Sequence, residues 1–94
     1  MEGSYLNYLK NMKNSFEQKL ILIISKSLKI SKNKVNINLN HKNCKNWDSF
    51  NFLTLITNIE KSFKIKFNYK EMIRLNSYKN IKTILKKKLY EKKK

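Results

Sequence analysis

A chain of 94 residues makes one domain, and at that length it buries only about 60 to 65% of its unfolded surface, which excludes a large enzymatic cleft and asks for a simple, well-patterned core. The formal net charge of +16 would ordinarily point to nucleic acid or an anionic surface. Nearly all of that charge is lysine, with Arg74 the only arginine, whereas readers of phosphates and bases favour the bidentate fork of arginine.

The chain is also rich in asparagine and isoleucine, lacks proline and alanine, and has a single glycine. Such a bias is expected when an AT-rich genome sets codon usage, so the lysines are read mainly as a solvated surface. No nucleic-acid partner is expected, and a small basic helical nucleic-acid-binding domain is kept as the alternative. Leu20 to Ile24 is a short apolar run between lysines, far below the roughly 20 residues of a membrane span. The start, Met1-Glu2-Gly3-Ser4-Tyr5, has no secretory-signal pattern, so a cytoplasmic protein is expected. The single cysteine, Cys44, cannot form an internal disulfide and suits a reducing compartment.

The first predicted element is a helix from about Tyr5 or Phe16 to Leu28. Leu6, Leu9, Phe16, Leu20, Ile23, Ile24 and Leu28 follow steps of three and four, apart from one wider gap, and so share one face. From Ser31 to Trp47 the pattern turns polar, with isolated Val35, Ile37 and Leu39. Their alternation could mark a strand, but a lone strand is unstable, so a long loop pinned by these apolar side chains fits better. A second helix is expected from Asp48-Ser49 to about Phe63, with Asp48 as its cap. Its core stripe is Phe52, Leu55, Ile56, Ile59 and Phe63. A narrower line of Phe50, Leu53 and Thr57 lies beside Ser49, and the pattern leaves open whether it widens the core or meets a partner.

Lys64 to Asn68 breaks the period. A short helical turn from about Tyr69 to Arg74 is expected to present Met72, Ile73 and Leu75 inward. Ser77 is a plausible cap for a last helix reaching about Leu89, with Tyr78, Ile81, Ile84, Leu85 and Leu89 facing inward. The expected fold is all-α, a small four-helix bundle with three longer helices, one short one, and a long loop between the first and second. Residues 1–15 are an N-terminal extension that can lengthen the first helix, 16–90 the domain itself, and 91–94 a basic tail; the lysines at 86–88 and 92–94 are expected to be solvated.

Few catalytic constellations can be assembled from one histidine, one cysteine and six carboxylates. No catalytic residue and no metal site are expected: His41 and Cys44 lack the second pair of ligands that structural zinc needs. Glu17, Glu60, Glu71 and Glu91 sit near lysines as surface ion pairs would. There is no glycine-rich phosphate loop.

The specific signal is Trp47-Asp48-Ser49-Phe50. A serine at the first helical position exposes its side chain, and the free N–H groups and positive dipole end favour a phosphodiester on its oxygen. Taken alone, an Asp-Ser pair is usually only a helix cap. The segment resembles the Asp-Ser-Leu motif of the acyl carrier protein family, with Phe50 in place of leucine and a preceding tryptophan similar to that of discrete carriers in specialised or surface-polysaccharide pathways. Downstream, Leu53, Leu55, Ile56, Ile59, Glu60, Phe63, Phe67, Glu71, Leu75, Ile81 and Leu85 keep the family register without a gap; upstream, Leu20, Ile23, Ile24, Leu28, Ile30 and Val35 keep their spacing to the serine. The resemblance covers about Phe16 to Leu89.

The resemblance implies a non-catalytic carrier bundle of the acyl carrier type, with 4'-phosphopantetheine attached to Ser49 and an acyl or aminoacyl group held as a thioester on its thiol. It implies a phosphopantetheinyl transferase using coenzyme A, an acyl-loading ligase or synthase, and an acyltransferase as partners of a monomer. Asp48 would cap the helix and help place the transferase, Phe50 and Leu53 would form the apolar docking patch, and Thr57 would border it. Two departures stand out. The family's second helix is acidic, whereas this one offers Glu60 among Lys61 and Lys64; and the family's usual glycine and leucine before Asp-Ser are replaced, Lys45 and Asn46 standing there. Partners with neutral or acidic docking faces are therefore expected.

Overall fold

The computed structural model describes residues 2–92, and side chains from residue 15 onward. The described chain is helical: α1 (Glu2–Leu28), a 3-10 turn (Lys32–Lys34), α2 (Ser49–Phe63), α3 (Tyr69–Met72) and α4 (Tyr78–Lys92), with no strand among the described residues. A small helical bundle with a long connection between α1 and α2 is therefore observed. The side chains of Leu6 and Leu9, expected on the inner face of α1, lie outside the described residues, as do Lys93 and Lys94.

The apolar spacing of each helix becomes one shared interior. Leu20, Ile24 and Leu28 of α1 meet Leu55, Ile56 and Ile59 of α2 and Ile81, Ile84 and Leu85 of α4, all buried, with Leu75 sealing the end near α3. Fully burying such a side chain stabilises by about 1.5–3 kcal/mol, so this cluster is the main reason the helices stay together. Ile23, Phe52, Phe63, Met72 and Leu89 pack partly buried around it. The Phe16 and Phe63 rings meet at a tilt of 54° with centroids 5.7 Å apart, and the Lys19 ammonium sits 4.7 Å from the Phe63 centroid. This closes the end of the bundle away from Ser49.

Both α1 and α2 end through a lysine in the left-handed region, Lys29 (φ 58) and Lys64 (φ 55). The next amide turns back in each case, Ile30 N–H to the Ser25 carbonyl at 3.0 Å and Ile65 N–H to the Glu60 carbonyl at 3.1 Å. These are Schellman-type endings that glycine normally supplies. A sequence with one glycine gives no punctuation there, and the lysines bear the steric cost.

The long loop is pinned by Val35 and Leu39, both buried, but not by Ile37, which is 69% exposed. The loop advances by turns, with Val35 N–H on the Lys32 carbonyl at 3.0 Å and Leu39 N–H on the Asn36 carbonyl at 2.9 Å. The alternation of a strand is therefore not kept, and Ile37 swings outward. The loop then meets the start of α4: Tyr78 N–H reaches the Leu39 carbonyl at 3.0 Å and His41 N–H the Asn76 carbonyl at 3.0 Å, forming an antiparallel bridge of Asn40 with Ser77. Ser77 caps α4 as expected, its Oγ accepting the Asn80 N–H at 3.1 Å.

The helical turn after Asn68 is shorter than expected and ends at Met72. Asn68 and Glu71 cap each other, Glu71 N–H to Asn68 Oδ1 at 2.8 Å and Asn68 N–H to Glu71 Oε1 at 2.9 Å, a reciprocal capping box. Leu75 is buried and Met72 half-buried, but Ile73 is 60% exposed rather than inward. Past Met72 the chain tightens into i+3 turns, Arg74 N–H on the Glu71 carbonyl at 3.0 Å and Leu75 N–H on the Met72 carbonyl at 3.1 Å, which return Leu75 to the side of Met72 and leave Ile73 off it. Ile65 and Phe67, in the period break, are buried.

The carboxylates do more than pair on the surface. Glu17 binds Lys82 at 3.2 Å and Glu71 binds Lys88 at 2.9 Å, tying α1 and α3 to α4. Lys88 is thus engaged rather than freely solvated. Glu60 instead accepts the Phe67 N–H on Oε2 at 2.8 Å and holds the segment after α2. Lys92 continues α4 past Leu89 and donates to the Phe63 and Lys64 carbonyls at 3.3 and 2.8 Å, capping the end of α2.

Candidate functional site

Helix α2 starts where its cap residue places it. Asp48 is extended (φ −100, ψ 176), and its Oδ1 accepts the Asn51 N–H at 2.8 Å, while the Asp48 carbonyl takes the first helical bond from Phe52 N–H at 2.8 Å. Ser49 is then the first residue of the helix, with an exposed side chain. With the Asn51 amide already satisfied by Asp48, the N–H groups of Ser49 and Phe50 remain without intrahelical acceptors, as the first amides of any helix do. An anionic group on Ser49 Oγ would sit at the positive end of a helix of 15 residues.

The segment leading to the serine is anchored from both sides. Asn46 Nδ2 donates to the Lys29 carbonyl at 3.2 Å, and the buried Asn51 donates its Nδ2 to the Asn46 carbonyl at 2.9 Å. Trp47 N–H closes a turn onto the Cys44 carbonyl at 3.0 Å, and its ring packs half-buried on the core. Sequence reasoning missed the Asn46–Asn51 link. Its only signal was an asparagine at an otherwise apolar helical position next to the cap.

Of the four residues expected at the docking face, Phe50, Leu53 and Thr57 share one side of α2, while Asp48, its cap, borders a depression on the other side of Ser49. Phe50 is 75% and Leu53 61% exposed, and Asp48 and Thr57 are exposed as well. The line beside Ser49 is therefore outside the core, which the pattern had left open. The depression is shallow, of about 390 Å³, and is bounded by His41, Trp47, Phe52, Met72, Leu75 and Asn76. Asp48, Ser49 and Ile73 complete its lining, which is mixed apolar and polar.

His41 borders that depression while Cys44, half-buried, lines a separate one of about 570 Å³ within the long loop. Among the described residues no three His, Cys, Asp or Glu side chains come together as metal ligands would. No helix among them is long and apolar enough to cross a membrane. Neither protein-family models nor curated protein sequences give a match to this chain.

Proposed function

We propose that this chain is a carrier protein of the acyl carrier type, with Ser49 as the attachment point of a phosphopantetheine arm. The observation that carries the reading is the exposed hydroxyl at the first position of a capped helix, on a chain whose apolar register resembles that family. The residues suit such a group. The helix N-terminus favours the phosphodiester, and the adjacent depression offers apolar walls of Phe52, Met72 and Leu75.

Ser49 Oγ forms the new phosphoester bond to the pantetheine-bearing phosphorus of coenzyme A as the pyrophosphate P–O bond breaks and adenosine bisphosphate leaves. The hydroxyl proton passes to a base on the transferase, and metal assistance comes from that enzyme. Once attached, the arm supplies a thiol that carries an acyl or aminoacyl group as a thioester. Asp48 holds the helix end in place, and Phe50, Leu53 and Thr57 offer the surface on which the transferase and the acyl-loading and acyl-transferring enzymes dock.

Incubation with coenzyme A and a permissive transferase should add the mass of one phosphopantetheine, and Ser49→Ala should abolish the gain. Cys44→Ser must be included so that thiol labelling reports the arm and not the protein's own sulfur. A nucleic-acid-binding domain, the reading that the high positive charge favours, would instead show steeply salt-dependent association indifferent to Ser49→Ala. Failure of every transferase on an intact fold would leave a bundle kept as a structural subunit.

A further inference from the structure

Phe50, Leu53, Thr57 and Lys61 follow one another along α2 at i, i+3, i+7 and i+11, so they form a single exposed stripe. Near Ser49 the stripe is apolar. At its other end Lys61, Lys64 and Lys66, all exposed, rim a depression of about 480 Å³ that Thr57, Glu60 and Ile65 also line. With a rise of 1.5 Å per residue, Phe50 and Lys61 are about 16 Å apart along the helix axis.

Carboxylates on this face are outnumbered by the lysines: Glu60 lines the same depression, and Glu91 lines an adjoining one with Lys64, Lys66, Lys88 and Lys92. Glu60, the one carboxylate within α2, is held by the Phe67 amide through Oε2 and offsets one of the three lysine charges. Asp48 is engaged at the cap. The two ion pairs among the described residues, Lys82 with Glu17 and Lys88 with Glu71, involve none of the three lysines. The face is thus apolar at the serine end and net cationic at the far end.

Resting on the carrier reading, we infer that partner enzymes dock on this stripe with an apolar socket for Phe50 and Leu53 and with carboxylates placed about 16 Å farther along to meet Lys61, Lys64 and Lys66. The polarity is the reverse of the acidic second helix to which this chain's resemblance points. A protein partner fits better than a nucleic acid, because exposed Phe50 and Leu53 ask for an apolar socket that phosphates do not supply, and better than a membrane, because a helix lying on a bilayer carries its lysines along the face opposite the apolar one, whereas here they follow the apolar residues on one stripe.

The test measures phosphopantetheine transfer from coenzyme A by the transferase of the same host. It compares the wild-type chain, the double variant Lys61→Glu/Lys66→Glu, and a control of equal charge change, Lys26→Glu/Lys79→Glu, on exposed positions of α1 and α4. Thermal melts confirm that each variant folds. At low ionic strength the α2 variant should raise KM about ten-fold with kcat held, the rise shrinking as salt is added, while the control stays within about two-fold. An unchanged or lowered KM for the α2 variant, or an equal rise for the control, overturns the proposal while leaving the carrier reading intact. Absence of transfer to the wild-type chain overturns the carrier reading and this inference with it. Phosphatidylglycerol vesicles and a short DNA duplex serve as competing probes: binding to either at physiological salt that the α2 variant alone abolishes would assign the lysines to that anion and overturn the protein partner.

Discussion

The behaviour of Ser49 depends on the residue before it. Asp48 both satisfies the Asn51 amide and fixes where α2 begins, so Asp48→Ala should cost about 1 kcal/mol in denaturant unfolding, and Asp48→Asn much less, because asparagine caps equally well. If Asp48→Ala also slows arm transfer far more than Asp48→Asn, the hydroxyl's placement is what matters and not the charge. Glu71 is the second residue with a measurable signature. Burial pushes its carboxyl up, but the Lys88 hydrogen bond, the Asn68 amide and the charges of Lys88 and Lys87 together outweigh burial and hold its pKa below the ordinary glutamate value. Its stabilising effect is therefore complete above the unfolded value of about 4.3 and disappears as pH falls through the lower folded value. Stability measured from pH 5 downward should decline less steeply in Glu71→Gln than in the wild type.

Among the elements, the helix ends show how an unusual composition is accommodated. Lys29 and Lys64 occupy left-handed positions where glycine has no steric penalty. Lys29→Gly should raise stability by up to about 1 kcal/mol, since the left-handed cost to a lysine exceeds the added backbone entropy of glycine; a lowered melting temperature would count against this account. The link from α1 through Asn46 to Asn51 orders the segment that delivers Ser49. Asn51→Leu keeps the branching of the side chain but leaves the Asn46 carbonyl without its partner, at a cost of about 1–3 kcal/mol. Hydrogen exchange should rise at Asn46 to Ser49 in that variant while the amides of α4 stay protected.

At the scale of the molecule, charge sets the conditions under which the bundle is stable. A net charge of +16 on 94 residues creates self-repulsion that the two observed ion pairs relieve only locally, and screening acts over about 10 Å at 0.1 M salt. The melting temperature should therefore climb as sodium chloride is raised from a few millimolar to a few hundred. A flat or falling series would mean that local pairing, and not global repulsion, governs stability.

The four helices and their caps at Asp48 and Ser77 were legible in the sequence, because apolar spacing and side-chain capping are local: a residue and its neighbours three or four positions away carry the whole signal. The turn after Asn68 ends two residues short of the expected Arg74, since neither glycine nor proline marks its end. Only the tertiary structure decided which isolated apolar residues are inside, burying Val35, Leu39, Ile65 and Phe67 and leaving Ile37 and Ile73 out. It also decided that Phe50 and Leu53 stand clear of the core, that Glu60 serves the Phe67 amide, and that the long loop bridges to Ser77. Each of these depends on what arrives from distant parts of the chain to exclude water or meet a backbone group, and no local period encodes that.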